Sequence, residues 1–386
     1  MKPDRLFLHK IPVKSRRLIF ATSGFILSMR LNYSNMNSIR ITFLIIFAAM
    51  AFAACNQGGK QPSDPSNNNG NGDNSEMEAP DSVLVALNRL IAQEPGNYLH
   101  YLNRARYFGD HNKFEAAMDD VRRALAIDST KSDIYLFKGN LLFDREKVSE
   151  AYEEYKACLN FDPKNQDCLL KKAGIDIVLG NYDVARELIN EALLVNEYNA
   201  YAYYLRGRMY KTIGDTVLAA SSYKTAIEVD PDYYDAYIEV GLLYAAQKND
   251  LANEYYSSAI QIKPRSVEAW YNKAMYLQET GFKKKNRYKD AMVCYDSIQR
   301  IDPNFVAADF NKGFIWLEYL ANYDSSAHYF TKALNAYPQY FQAYYNRGLS
   351  FESLGKKKEA EQDYRAALKI KPDYSEAAIA LNRILK

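Results

Sequence analysis

The sequence is poor in the residues that perform chemistry. It holds four cysteines, four histidines and two tryptophans in 386 positions. No cysteine belongs to a CxxC pair or a Cys/His cluster, so a metal site has no support. HExxH, GxSxG, Walker and GxGxxG patterns are absent. No paired carboxylates stand out on a plausible scaffold either, and neither an enzyme, a cofactor nor a small-molecule substrate is expected. Excess positive charge is missing from the body. From residue 55 onward there are 41 bases and 46 acids, a net charge of −5. A nucleic-acid binder needs a basic surface, which argues against that class. Strand-like alternation is also missing downstream of residue 80.

Hydrophobic residues make up 48% of the chain, which excludes a mainly disordered protein, and tyrosine is abundant at 33. The charge that the body lacks is gathered at the front: residues 1–54 hold eight Lys/Arg and one acid. Residues 1–35 are basic and patternless, and are expected to be a non-native extension upstream of a start at Met36. Within 36–54 a basic start leads into the apolar run Ile41–Ala54. That run falls short of the roughly 20 residues needed to span a bilayer. A basic segment, an apolar segment of this length and small residues at its end form an export signal. The closing Ala53-Ala54-Cys55 resembles the lipobox of bacterial lipoproteins, although Phe52 replaces the usual Leu. The resemblance implies cleavage before Cys55 and acylation of that residue. Residues 55–80 are rich in Asn, Gly, Ser and Pro. They are expected to be a flexible tether, with a reach of roughly 25–30 Å.

From Pro80 the pattern is one of amphipathic helices, and it repeats. Small residues recur at Ala105, Gly139, Ala173, Gly207, Gly241, Ala274, Gly313 and Gly348, in steps of 34, 34, 34, 34, 33, 39 and 35. A second small residue follows in each unit: Ala117, Ala151, Ala185, Ala219, Ala252, Ala291, Ser326 and Ala360. Small residues on facing helices let the backbones approach. Aromatics fill the gaps, and the units close at Ser129, Pro163, Glu197, Pro231, Pro264, Pro303, Pro338 and Pro372, six of the eight on a Pro that cannot continue a helix. The fourth unit carries Tyr203, Gly207, Tyr210, Gly214, Ala219, Tyr223, Ala226 and Pro231. The eighth carries Tyr344, Gly348, Phe351, Gly355, Ala360, Tyr364, Ala367 and Pro372. The third is weakest, with Asp176 and Ile189 at the usual aromatic positions.

This pattern resembles the tetratricopeptide repeat, a 34-residue helix–turn–helix unit. The resemblance implies an all-α fold: a right-handed α-solenoid of about eight units over 98–374. The units are 98–131, 132–165, 166–199, 200–233, 234–266, 267–305, 306–340 and 341–374. A helix over 81–97 precedes them, and a capping helix over 375–386 follows.

A family of this kind binds protein or peptide partners on the first-helix face. Here that face is expected to present Tyr201, Tyr204, Arg208, Lys211, Tyr271, Asn272, Phe310, Tyr345 and Asn346. The carboxylate clamp of some relatives is not matched, because the fifth position of each unit is Leu, Ile or aromatic. Two basic turns are a candidate docking edge: Lys283, Lys284, Lys285 and Arg287, and Lys356, Lys357 and Lys358. The plainer expectation for both is a solvated turn. A base precedes the small residue at Arg104, Lys138, Lys172, Arg206, Lys273, Lys312 and Arg347. These are expected to pair within the repeat, as Arg104 with Asp120 and Arg347 with Asp363, sixteen residues on. Cys158 and Cys168 are close enough in sequence for a disulfide in an exported protein, but two small buried thiols are the plainer expectation.

Together these features predict a protein-interaction scaffold in a bacterial cell envelope, held by its lipid to a membrane, most simply the outer one. A pilotin-like assembly factor and a non-catalytic subunit of an envelope enzyme are the alternatives.

Overall fold

The computed structural model describes residues 82–283 and 286–386. Cys55, the export signal, the tether, Lys284 and Lys285 lie outside the described residues, as does the side chain of Lys283. Within them the chain is all-helical, with eighteen α-helices and no strand. The described chain divides into two compact bodies, 82–243 and 244–386. Each is a stack of helix pairs recurring at the period of the sequence. No helix among the described residues is long and apolar enough to cross a membrane.

The first body begins with α1 (Ser82–Gln93) and continues through α2 (Tyr98–Asp110), α3 (Phe114–Ile127), α4 (Ser132–Phe143) and α5 (Val148–Phe161). It proceeds through α6 (Gln166–Leu179), α7 (Tyr182–Val195), α8 (Ala200–Ile213) and α9 (Thr216–Val229). The division falls inside α10 (Tyr234–Ala246). The second body holds α11 (Leu251–Ile262), α12 (Val267–Thr280), α13 (Asn286–Ile301) and α14 (Val306–Phe314). It ends with α15 (Tyr323–Ala336), α16 (Phe341–Ser353), α17 (Lys357–Ile370) and α18 (Ser375–Leu385).

Local chemistry sets the pairing. In six of the eight units the turn has one left-handed residue at the same repeat position. Gly180, Gly214 and Gly355 supply it with φ of +83°, +91° and +74°, at no steric cost. Asn112, Glu146 and Lys248 occupy the same repeat position with φ of 54–60°. Between units an Asp or Asn ends the second helix and its side chain accepts from the backbone N–H two residues on. Examples are Asp162 to Lys164 at 3.2 Å and Asp230 to Asp232 at 3.0 Å. Asn165 and Asn199 then cap the next helix, accepting from the N–H of Cys168 and Ala202.

Packing follows from the small residues. A Cβ added at Gly207 would lie 2.5 Å from the ring of Tyr223, and at Gly348 2.6 Å from the ring of Tyr364. Both tyrosines are fully buried. Only a glycine lets the first helix of the unit come that close to the second. Two of the three irregular steps coincide with irregular helix geometry. The 35-residue step is absorbed by a π-turn over Ile315–Tyr319, where Leu320 N–H reaches Ile315 C=O at 3.1 Å and one extra residue enters the helix. The 39-residue step contains a short 3₁₀ turn over Gly281–Lys283 before α13.

Two expectations need correction. Cys158 and Cys168 form a disulfide rather than two thiols, with Cα atoms 6.5 Å apart. They face each other because α5 turns directly into α6. Arg287 does not belong to a solvated basic turn. It is 8% exposed, pairs with Asp250 at 2.7 Å and donates to Thr280 at 2.8 Å.

Candidate partner-binding face

The bases along the packing seam come first, because they are the most regular charged feature. Arg104 donates twice to Asp120, each bond 2.7 Å, and Arg347 twice to Asp363, each 2.8 Å. Lys138 meets Glu154 at 2.7 Å. Arg206 donates to Ser222 at 3.3 Å and lies over the ring of Tyr203 at 4.7 Å. Lys273 and Lys312 point the other way, sixteen residues back, to Ser257 and Asp296. Arg347 spans both directions, adding Thr331 at 3.0 Å. Arg104, Lys138, Arg206 and Arg347 thus pair within the repeat as expected, whereas Lys273 and Lys312 correct that expectation by tying their unit to the one before; all of them hold helices together.

The third unit departs from the repeat at Asp176, and the structure accounts for it. Asp176 is fully buried. It accepts from Lys172 at 2.9 Å, Asn181 at 3.0 Å and Tyr152 at 3.2 Å. A buried carboxylate is tolerated only when it is paired and hydrogen-bonded in this way.

The expected binding residues sort by exposure. Phe310 is a core residue, stacked on Tyr340 at 4.8 Å and edge-on to Phe330 at 5.4 Å. Asn346 is buried and donates to the Gln342 carbonyl of its own helix. Neither is open to a partner, because each is covered by its neighbours, Phe310 by Phe330 and Tyr340, and Asn346 within the core. Tyr271, Asn272 and Tyr345 of the second body are half-buried. Tyr345 packs against Tyr364 and Tyr374, at 5.9 and 5.3 Å. Of the basic turns, Lys356, Lys357 and Lys358 are exposed.

The first body gathers the densest group. On α8, Tyr201, Tyr204 and Arg208 are half-buried and Lys211 is exposed. Tyr204 lies 6.4 Å from Tyr201, 5.6 Å from Tyr223 and 5.4 Å from Tyr233, ring to ring. Burial holds the Tyr201 and Tyr204 hydroxyls above the ordinary phenol range, with Arg208 opposing the shift in both. Lys211 pairs with Glu239 of α10, which brings the faces of α8 and α10 side by side. Tyr233 and Glu239 belong to this group and were not singled out by spacing; Tyr223 was, as a packing residue of the repeat. Tyrosine here supplies rigid contact area with a polar tip, which suits recognition of a polypeptide. No group of three or more His, Cys, Asp or Glu able to hold a metal occurs among the described residues.

The tetratricopeptide repeat family models match residues 341–374 and, in two overlapping stretches, 176–234 and 212–267. Among curated proteins, the chain is similar to RNA polymerase II-associated protein 3 of Homo sapiens. The two are 25% identical over 197 residues, 48% of this chain and 29% of that protein. It is also similar to DnaJ homolog subfamily C member 3 of Mus musculus, 23% identical over 245 residues, 58% of this chain and 49% of that one. The chain thus spans less than half the length of either. Among solved structures it is similar to YrrB, described as a TPR protein with an unusual peptide-binding site. There the identity is 25% and the TM-score 0.38, over 48% of this chain and 95% of that one. A tetratricopeptide repeat protein from Parabacteroides merdae is 18% identical with a TM-score of 0.43, over 66% of this chain and 99% of that one. Tetratricopeptide repeats are therefore recognised in both bodies of the chain, and a fold of such repeats is a scaffold for protein or peptide partners.

Proposed function

We propose that this chain is a lipid-anchored interaction scaffold of a bacterial cell envelope, binding a protein partner across the first-helix face of its repeats. The observation that carries the binding reading is the face of α8 and α10. Its tyrosines are half-buried, and Arg208 makes no ion pair among the described residues. The rest of the charged seam is spent on holding helices together, which leaves this face as the place for a partner. The anchor reading rests on the sequence at Ala53-Ala54-Cys55. The Cys158–Cys168 disulfide supports it, since such bonds persist in the oxidising compartments outside the cytoplasm.

Two experiments test the proposal. Metabolic labelling with a fatty-acid analogue should mark the wild-type chain and not Cys55→Ala; equal labelling of both, or of neither, removes the anchor. Crosslinking in membranes followed by mass spectrometry should recover envelope proteins. Their yield should fall in Tyr204→Ala/Arg208→Ala and persist in a variant with Lys356, Lys357 and Lys358 changed to Glu. Loss in the lysine variant alone would move the binding surface to the basic turn.

A further inference from the structure

The second helix of several units carries a buried tyrosine whose ring fills the gap left by the small residue. Its hydroxyl then needs an acceptor, and the acceptor comes from the ninth or twelfth residue of the first helix. Tyr155 donates to Asn140 at 2.9 Å, Tyr295 to Gln278 at 2.8 Å and Tyr364 to Glu352 at 2.6 Å. In the fourth unit those two positions are Arg208 and Lys211. Both side chains are donors only. The Tyr223 hydroxyl is accordingly buried without a hydrogen-bond partner. An orphaned buried hydroxyl is costly and rare in native structures. Here it arises from the same substitution that places an uncompensated guanidinium on the open face.

The surroundings match that imbalance. Lys211 is neutralised by Glu239. Arg208 has no such partner among the described residues. Its charge acts on the hydroxyls of Tyr201, Tyr204 and Tyr223 alike, so the four groups share one locality. Three phenol hydroxyls and one guanidinium share it; the carboxylates that act there come from α10, Glu239, which is taken up by Lys211, and Asp235, which acts on the Tyr204 hydroxyl, and neither makes an ion pair with Arg208.

We infer that this locality on α8 and α9 is a subsite for a carboxylate of the partner polypeptide, which pairs with Arg208 and accepts from the tyrosine hydroxyls. Tyr223 supplies its hydroxyl once the half-buried Tyr204 and Arg208 side chains rotate outward, a fast motion for side chains at a surface. The subsite differs from a clamp built on a basic fifth position, because Tyr204 stands there. This inference rests on the reading of the chain as a peptide-binding scaffold, and it adds the chemistry that the peptide must bring.

The test is selection of random dodecapeptides, displayed on phage, against the immobilised protein. An Asp or Glu should recur at one position of the selected peptides. Changing that acid to its amide should weaken binding to the wild type by about tenfold or more, the usual worth of a hydrogen bond to a charged group. Arg208→Gln should bind the acid and amide peptides equally. Tyr223→Phe should lose part of the acid preference while its Tm stays level or rises, which a merely structural role for the hydroxyl does not predict. Synthesis of each peptide with a free and an amidated C-terminus shows whether a side chain or the chain end supplies the carboxylate. Peptides selected without an acid, or an acid preference that survives Arg208→Gln, overturn the subsite and leave peptide binding intact. Failure to select any peptide overturns both.

Discussion

The fourth and eighth units carry the repeat pattern almost in full, yet they treat their polar groups in opposite ways. In the eighth, everything closes on itself. Arg347 makes a two-bond pair with Asp363 and reaches Thr331, Tyr364 donates to Glu352, and Glu352 also pairs with Arg383 of the terminal helix at 2.7 Å. In the fourth, Arg206 has a serine and the face of Tyr203 but no carboxylate, Tyr223 has no acceptor and Arg208 has no counter-ion among the described residues. The apolar pattern dictates the same helix pair in both. The difference lies at polar positions that the pattern leaves unspecified, such as Ser222 against Asp363 and Lys211 against Glu352. A unit with satisfied polar groups is built for stability. One with open donors keeps part of its binding capacity for something else.

The largest expected contrast is at the seam. Asp363→Ala strands the guanidinium of Arg347 in a mostly buried site and should cost about 3 kcal/mol. Ser222→Ala, the equivalent change in the fourth unit, should cost about 1 kcal/mol or less. Chemical denaturation of the two variants measures the gap, and equal losses would break the comparison. Next comes the crosslink of the first body. Ten residues separate Cys158 from Cys168. Loss of that loop closure in Cys158→Ser/Cys168→Ser should cost about 2–3 kcal/mol. Cys294, the free and buried cysteine of the second body, should show no redox effect in the same titration; burial pushes its thiol up to about 11.

Gly207→Ala and Gly348→Ala should be alike. Each forces a Cβ to within 2.6 Å of a buried tyrosine ring. Overpacking of this kind should cost about 1–3 kcal/mol, less up to about 1 kcal/mol gained in helix propensity. Matched losses would show that the two units share their apolar architecture. The smallest effect is the most discriminating. Tyr364→Phe should lose about 1 kcal/mol, whereas Tyr223→Phe should be neutral or gain about as much, because it removes an unsatisfied hydroxyl. Opposite signs in thermal unfolding support the comparison, and the same sign in both sinks it.

The helix pairs, their period and the seam pairs Arg104–Asp120 and Arg347–Asp363 were legible in the sequence. The reason is that each depends on contacts at a constant sequence offset. A base at one position and an acid sixteen later meet across a hairpin whatever the rest of the molecule does. The same reasoning located Tyr201, Tyr204, Arg208 and Lys211 on an accessible face. It misassigned Phe310, Asn346 and Arg287, because exposure depends on neighbours from other units. It also set aside the Cys158–Cys168 bond, because two thiols ten residues apart join only if the turn between helices brings their Cα atoms within reach.

By itself, then, the order of small, aromatic and turn-forming residues determined the all-α repeat, since those preferences are local and recur in every unit. Tertiary structure alone decided which polar groups are satisfied. The reach of Tyr152 to the buried Asp176 and the orphaned hydroxyl of Tyr223 each depend on side chains from different helices meeting in space. Hydrogen bonds are directional and short, so partners a few ångströms apart are decided by packing, while the periodicity that guides packing is written along the chain.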